Sequence, residues 1–228
     1  MEGNKKTKII TLSALIVGIV ALSIGFAAFS KNLTIDANAK FNPESTGLDI
    51  GFSTSISSLS TGLITSTGTA EASSITLTDS TEISGVDITF TDVGQSAIYD
   101  FYIYNNSSYT AYLDKAELIL TNYVSPGIKC EAISGTDTSA VNSACSSVKF
   151  KLLKYIEDSN TYANLFLLSG GSPAAAANVY TSNGTIPSKT GAKVRLIIEY
   201  TSGSSSSIPD GDFNVNIGTL TLTYSTQQ

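Results

Sequence analysis

The chain has 228 residues, 13 basic against 19 acidic, a formal net charge of -6, and no histidine. That length is enough for one large β domain or two small ones with a buried core, and the acidic balance leaves no basic surface with which to hold phosphates, so nucleic acid is excluded as a partner. Without imidazole there is no Ser-His-Asp or Cys-His system, no paired-His zinc helix and no ordinary general base for neutral pH, while the Ser, Thr, Gly, Tyr, Val and Ile that dominate are the palette of a secreted β protein.

Lys5, Lys6 and Lys8 precede an apolar run from Ile9 to Phe29 in which only Thr11, Ser13 and Ser23 are polar. A basic start, a long apolar centre and the small residues Ala27 and Ala28 make an export signal. The run also has the length of a membrane-spanning helix, roughly 20 residues, so an uncleaved tether is the competing reading. Cleavage between Ala28 and Phe29 is preferred, because strand patterning starts a few residues later. This divides the chain into a signal peptide (1–28), an arm (29–41) and a β domain (42–228).

In "NLTIDANAKF", Leu33, Ile35, Ala37, Ala39 and Phe41 face one way, and Asn32, Thr34, Asp36, Asn38 and Lys40 the other. Pro43 and Gly47 break the alternation, and "LDIGFS" is a short strand. The Ser/Thr-rich tract that follows reads equally as exposed strands or as loop. "GVDITFTDVG" and "SAIYDFYIYNNSS" are consecutive strands around a turn at Gly94. The second, with Tyr99, Phe101 and Ile103 on one face, is expected to form an antiparallel hairpin with "YTAYLDKAELILTNYV" that carries a tyrosine-rich face. Such a face binds glycan or a partner strand, or simply covers the sheet with cross-strand pairs, and the latter is the commoner role.

Residues 125–147 show little periodicity and read as an insertion. Cys130 and Cys145 lie within it, and oxidation of the pair in an exported chain would close a loop of about 15 residues, contributing on the order of 3 kcal/mol in the chain-entropy model; two separate thiols are the alternative. "VKFKLLKYI" and "ANLFLL" resume strand patterning, and "SPAAAANVY" permits one short helix capped by Ser172. "AKVRLIIEYT", with Val194, Leu196, Ile198 and Tyr200 on one face, and "FNVNIGTLTLTYS" are expected to pair across the turn between them. A change of phase at Gly218 suggests a β-bulge. Many short strands and polar turns predict an all-β protein, a jelly-roll-like antiparallel β-sandwich preceded by the N-terminal signal or transmembrane helix.

Acidic residues such as Asp87, Asp92, Asp100 and Glu199 are scattered over turns and solvent faces without a pair placed across a cleft, so no catalytic residue is assigned and no enzyme is expected. Asp210 and Asp212 in "PDGD" lack the spaced ligands of a calcium loop and suit a turn, so no metal or cofactor is expected. "LTLTYSTQQ" has no apolar tail or basic end for a sortase, which makes any envelope attachment indirect.

The junction "GFAAFSKNLTIDANAKF", with its Lys-rich start, long apolar region, Ala-Ala-Phe step and alternating arm, resembles the TasA and camelysin matrix-fibre family of Gram-positive bacteria, whose members are processed by a SipW-type signal peptidase. The resemblance implies a β-sandwich fibre subunit whose freed arm completes a neighbour's sheet by donor-strand exchange. Carried onto this sequence, Phe29–Phe41 is the donor, with Leu33, Ile35, Ala37, Ala39 and Phe41 as the inserted face. An added strand satisfies an open sheet edge, and its apolar side chains contribute roughly 25 cal/mol per Å² buried, less the ordering of the arm. A head-to-tail contact of this kind does not close, so it grows filaments. The expected partners are therefore the chain itself, the SipW-type peptidase, and candidate minor fibre or anchor subunits, in a biofilm matrix or surface pilus outside the cell. The camelysin peptidase activity is not expected without histidine. Lys31 and Lys40 are either solvent-facing or candidates for an isopeptide bond to a neighbour. The alternative function is an envelope-associated adhesion module recognising glycan or a host surface.

Overall fold

The computed structural model describes residues 48–77, 83, 86–119, 128–133, 135–169, 181–201 and 211–226. The signal segment, the arm with Lys31 and Lys40, Gly170, Gly171, the helix expected after Ser172, and Asp210 lie outside the described residues. Among the described residues there are thirteen strands: β1 (Ile50–Ser53), β2 (Gly62–Ile64), β3 (Glu71–Ala72), β4 (Ile75–Leu77), β5 (Val86–Phe90), β6 (Ser96–Asn105), β7 (Tyr112–Ile119), β8 (Ile128–Ala132), β9 (Val148–Ile156), β10 (Thr161–Ser169), β11 (Thr190–Tyr200), β12 (Phe213–Ile217) and β13 (Thr219–Ser225). The α-helix α1 (Thr138–Cys145) lies between β8 and β9. All pairings among the described strands are antiparallel. Among the described residues no helix is long and apolar enough to cross a membrane.

One sheet has the order β1-β6-β11-β9-β10 and the other β3-β5-β12-β8, with β13-β7 and β2-β4 as separate two-stranded ladders. Alternation places Tyr99, Phe101 and Ile103 of β6, Val194, Leu196 and Ile198 of β11, and Phe150 and Leu152 of β9 inward. Val86, Ile88 and Phe90 of β5 and Phe213, Val215 and Ile217 of β12 form the opposing wall. The sheets pack face to face: the Tyr200 ring of β11 lies 5.8 Å from Phe90 and 5.1 Å from Phe213 between centroids, in tilted and edge-on arrangements that suit the ring quadrupoles. The result is an all-β, antiparallel, two-layered core.

The strand faces are as expected, but two pairings differ. β6 does not form a hairpin with β7: its flanks are taken by β1 and β11, and β7 pairs with β13. Its last residue, Asn105, is fully buried, and its side-chain amide donates to the carbonyls of Tyr109 (2.8 Å), Ile186 (3.0 Å) and Pro187 (3.2 Å). These bonds tie "NNSS" to the chain entering β11, not to a hairpin turn. Likewise β11 and β12 do not pair. They belong to opposing sheets, because both bury one apolar face and each reaches the core from its own side.

Gly218 is not a bulge within one ladder. It divides β12, which pairs with β5 and β8, from β13, which pairs with β7. The register irregularities fall elsewhere, at Asn164/Phe166 in β10 and Thr223/Tyr224 in β13. The first lets the adjacent Leu165 and Phe166 both be buried. In the 125–147 stretch, β8 is hydrogen-bonded along β12 and contributes a sheet strand.

Candidate functional site

The proposed cleavage residues Ala28 and Phe29 and the donor face Leu33, Ile35, Ala37, Ala39 and Phe41 lie outside the described residues, so the structure brings none of them to a site. What it does define is the body that such an arm would leave and the edges available to a strand. The described chain enters at Leu48, which is buried, and runs directly into β1 at one end of the five-stranded sheet. β10 forms the other end, and among the described residues no strand pairs with the outer side of either. An edge of this kind presents backbone groups in the pattern a further strand needs.

Not every edge is open. Beyond β1, the same side of β6 is covered by residues 66–70, through Thr67 N–H to Ile98 O (2.8 Å) and Ala70 N–H to Ser96 O (3.0 Å). Gly68 makes this approach possible, since a Cβ there would sit 1.9 Å from Ser96 O.

Cys130 in β8 and Cys145 at the end of α1 are joined by a disulfide, with Cα atoms 5.8 Å apart. The Asp137 side chain caps the helix by accepting from Ser139 N–H (2.9 Å), and Val141 and Ala144 bury its apolar side. The bridge therefore fastens the helix to the end strand of the four-stranded sheet.

On the outer face of the five-stranded sheet, cross-strand register assembles a polar and aromatic group. Arg195 donates from Nε and Nη2 to both oxygens of Asp100, each at 2.7 Å, and its guanidinium stacks 4.7 Å from the Tyr162 centroid. Tyr155 meets Tyr162 edge-on at 5.3 Å. The bond to Asp100 is the first reason that the Arg195 pKa is raised. Glu199 pairs with Lys151 at 2.5 Å. Tyr104 lies between Gly51 and Gly191, and the chain after β1 passes so close that a Cβ on Gly191 would meet Ile56 O at 2.3 Å. Tyr155 and Tyr162 thus pair with one another, and Tyr162 with Arg195. Sequence reasoning treated Asp100 and Glu199 as solvated and missed Arg195; the signal was Lys193, Arg195 and Glu199 falling on the face of β11 opposite to Val194, Leu196 and Ile198.

The outer face of the four-stranded sheet is a shallow cleft lined by Glu71, Asp87, Thr89, Lys129, Glu131, Asn214 and Asn216. Asn216 Nδ2 donates to Asp87 Oδ1 (2.7 Å), Thr89 Oγ1 to Asn214 Oδ1 (2.8 Å), and Lys129 pairs with Glu131. Among the described residues no three metal-ligating side chains cluster.

Two tyrosine hydroxyls face the interior. Tyr99 donates to Ser73 O (2.7 Å), and burial, with a smaller contribution from the charge of Asp87, pushes its pKa up to about 12. Burial also raises the pKa of Tyr224, whose hydroxyl has no hydrogen-bond partner among the described residues. Half-buried Lys154 donates to Thr185 O (2.6 Å), and desolvation lowers its pKa. Tyr99 and Lys154 thus anchor neighbouring backbone carbonyls. No protein-family model and no curated protein matches this sequence.

Proposed function

We propose that the chain is an exported structural subunit of an extracellular fibre, in a biofilm matrix or surface pilus. In this reading it has a jelly-roll-like body and polymerises when the Phe29–Phe41 arm of one copy adds to the sheet of the next. The observation that carries this reading is the junction itself: an export-type segment, the small residues Ala27 and Ala28 before Phe29, and soon after them a five-position apolar alternation ending at Phe41. The body supports it in two ways. The chain emerging from the arm meets an end strand of a sheet, and both ends of that sheet lack a described neighbour. Covalent bracing by Cys130–Cys145 suits a load-bearing particle outside the reducing cytoplasm.

The test is to produce the chain from Phe29 and a second form lacking residues 29–41, and to examine both by negative-stain electron microscopy and sedimentation. Filaments from the first and folded, soluble monomers from the second are expected. Normal filaments from the truncated form would sink the reading. The adhesion-module reading draws support from the shallow polar cleft over β3, β5, β12 and β8. It requires that the same protein stay monomeric and bind a glycan, with binding lost on Asn214→Ala.

A further inference from the structure

Three strand ends meet at one corner of the five-stranded sheet. Asn105 is paired with Ile50 on one side and Thr190 on the other, so the next row across β1, β6 and β11 is Asp49, Asn106 and Lys189. Backbone bonding continues into that row through Asn106 N–H to Asp49 O (2.7 Å). Asn106 Nδ2 donates to Asp49 Oδ2 at 2.6 Å, and Lys189 Nζ donates to Asn106 Oδ1 at 3.1 Å and also to the Asn106 carbonyl. One side-chain amide is therefore held between an amine and a carboxylate.

The surroundings fix this arrangement. Asn105 and Ser107, on either side of Asn106, are both buried, and Ser107 N–H donates to Asn105 Oδ1 (3.0 Å). Ser188 Oγ donates to Ser107 O (3.0 Å), and Thr190 Oγ1 to Pro187 O (2.9 Å), so the approach to β11 is tied to the end of β6. Lys189 itself has φ of 56°, a left-handed conformation that a long side chain adopts at a free-energy penalty and only where the surrounding structure imposes it.

We propose that Asp49, Asn106 and Lys189 form an intramolecular isopeptide site, in which the lysine amine acylates itself on the asparagine side chain. The neutral Lys189 Nζ attacks Asn106 Cγ, a new C–N bond forms, and the bond from Cγ to Nδ2 breaks. The proton lost by the attacking nitrogen passes through the Asp49 carboxylate to the departing nitrogen, which Asp49 already holds by hydrogen bond, and ammonia leaves. Atoms and electrons balance with no external reactant. The preassembled row supplies proximity, and Asp49 supplies the proton transfer. The product locks the end of β6 to the start of β11, across 83 residues of chain.

The experiment is intact-mass spectrometry of the purified full chain, fresh and after incubation at mildly alkaline pH, followed by peptide mapping, with Lys189→Arg and Asp49→Ala in parallel. The wild-type chain is expected to become lighter by one ammonia and to give a branched peptide linking Asn106 to Lys189. K189R keeps its full mass, and D49A converts at least ten times more slowly. Full mass in the incubated wild type, with separate peptides for the two residues, overturns the proposal. So does ammonia loss that persists in K189R, which marks ring closure of Asn106 on the Ser107 backbone nitrogen, or a mass gain from simple deamidation.

Discussion

Replacing Asn105 by alanine is expected to destabilise the fold by about 3 to 5 kcal/mol, and the reason lies in which groups are left unpaired. The three carbonyls that receive its amide each keep another donor: Tyr109 O has Ser107 Oγ, Ile186 O has Ala111 N–H, and Pro187 O has Thr190 Oγ1. Their loss is limited to about 1 kcal/mol for each of two amide hydrogens. The Ser107 N–H is different, since its acceptor is Asn105 Oδ1 at a buried position, and orphaning it adds about 1 to 3 kcal/mol. Asn105→Asp separates donation from acceptance. It retains the acceptor for Ser107 but turns a second carboxylate oxygen toward carbonyl oxygens, so at neutral pH it should be worse than alanine, and its deficit should shrink as acid protonates the carboxyl. Urea unfolding of the disulfide-intact protein at two pH values measures both. If N105D matches the wild type at neutral pH, donation by Asn105 does not hold the β6 and β11 ends together.

Reduction of Cys130–Cys145, which closes a separation of 15 residues, is expected to lower stability by about 3 kcal/mol, read as a shift of the urea midpoint with and without reductant. An unchanged midpoint would show that α1 and β8 constrain each other without the bridge. Stability should also fall in alkali: Tyr99 titrates at about 12 in the fold against an ordinary 10.0, so its contribution is complete below pH 10 and is lost between 10 and 12. That shift corresponds to about 3 kcal/mol, and Tyr224 acts in the same direction. Tyr99→Phe should flatten part of the alkaline slope in a chemical-denaturation series, and an identical slope in Y99F would assign the loss to other groups.

The faces of the strands were legible because alternation is a local property. Val194, Leu196, Ile198 and Tyr200, and Tyr99, Phe101 and Ile103, all turn inward as their spacing requires. Pairing was not legible, since the short turn at Gly94 between β5 and β6 carries the chain from one sheet to the other and has the same turn chemistry as a hairpin. The polar "NNSS" reads as a solvent turn, yet Asn105 is an interior anchor whose partners stand 81 and 82 residues away. The Asp49, Asn106 and Lys189 row exists only once register is known, which no short window of sequence supplies. The two cysteines were visible as a pair, whereas the helix between them, only eight residues long, gave no extended period to detect.

β11 lies at the centre of the five-stranded sheet and β12 inside the four-stranded one, both late in the chain, so β6 and β9 wait for β11, and β5 and β8 for β12, to fill one flank. During synthesis β1–β6, β3–β5 and β9–β10 can pair early, but the ladders that join them into complete sheets form last, and pairing over such separations is slow. In the proposed fibre subunit, exported unfolded, this order of manufacture would be a timing device: the body cannot close until β11 and β12 have been made, which would keep the polypeptide threadable until then.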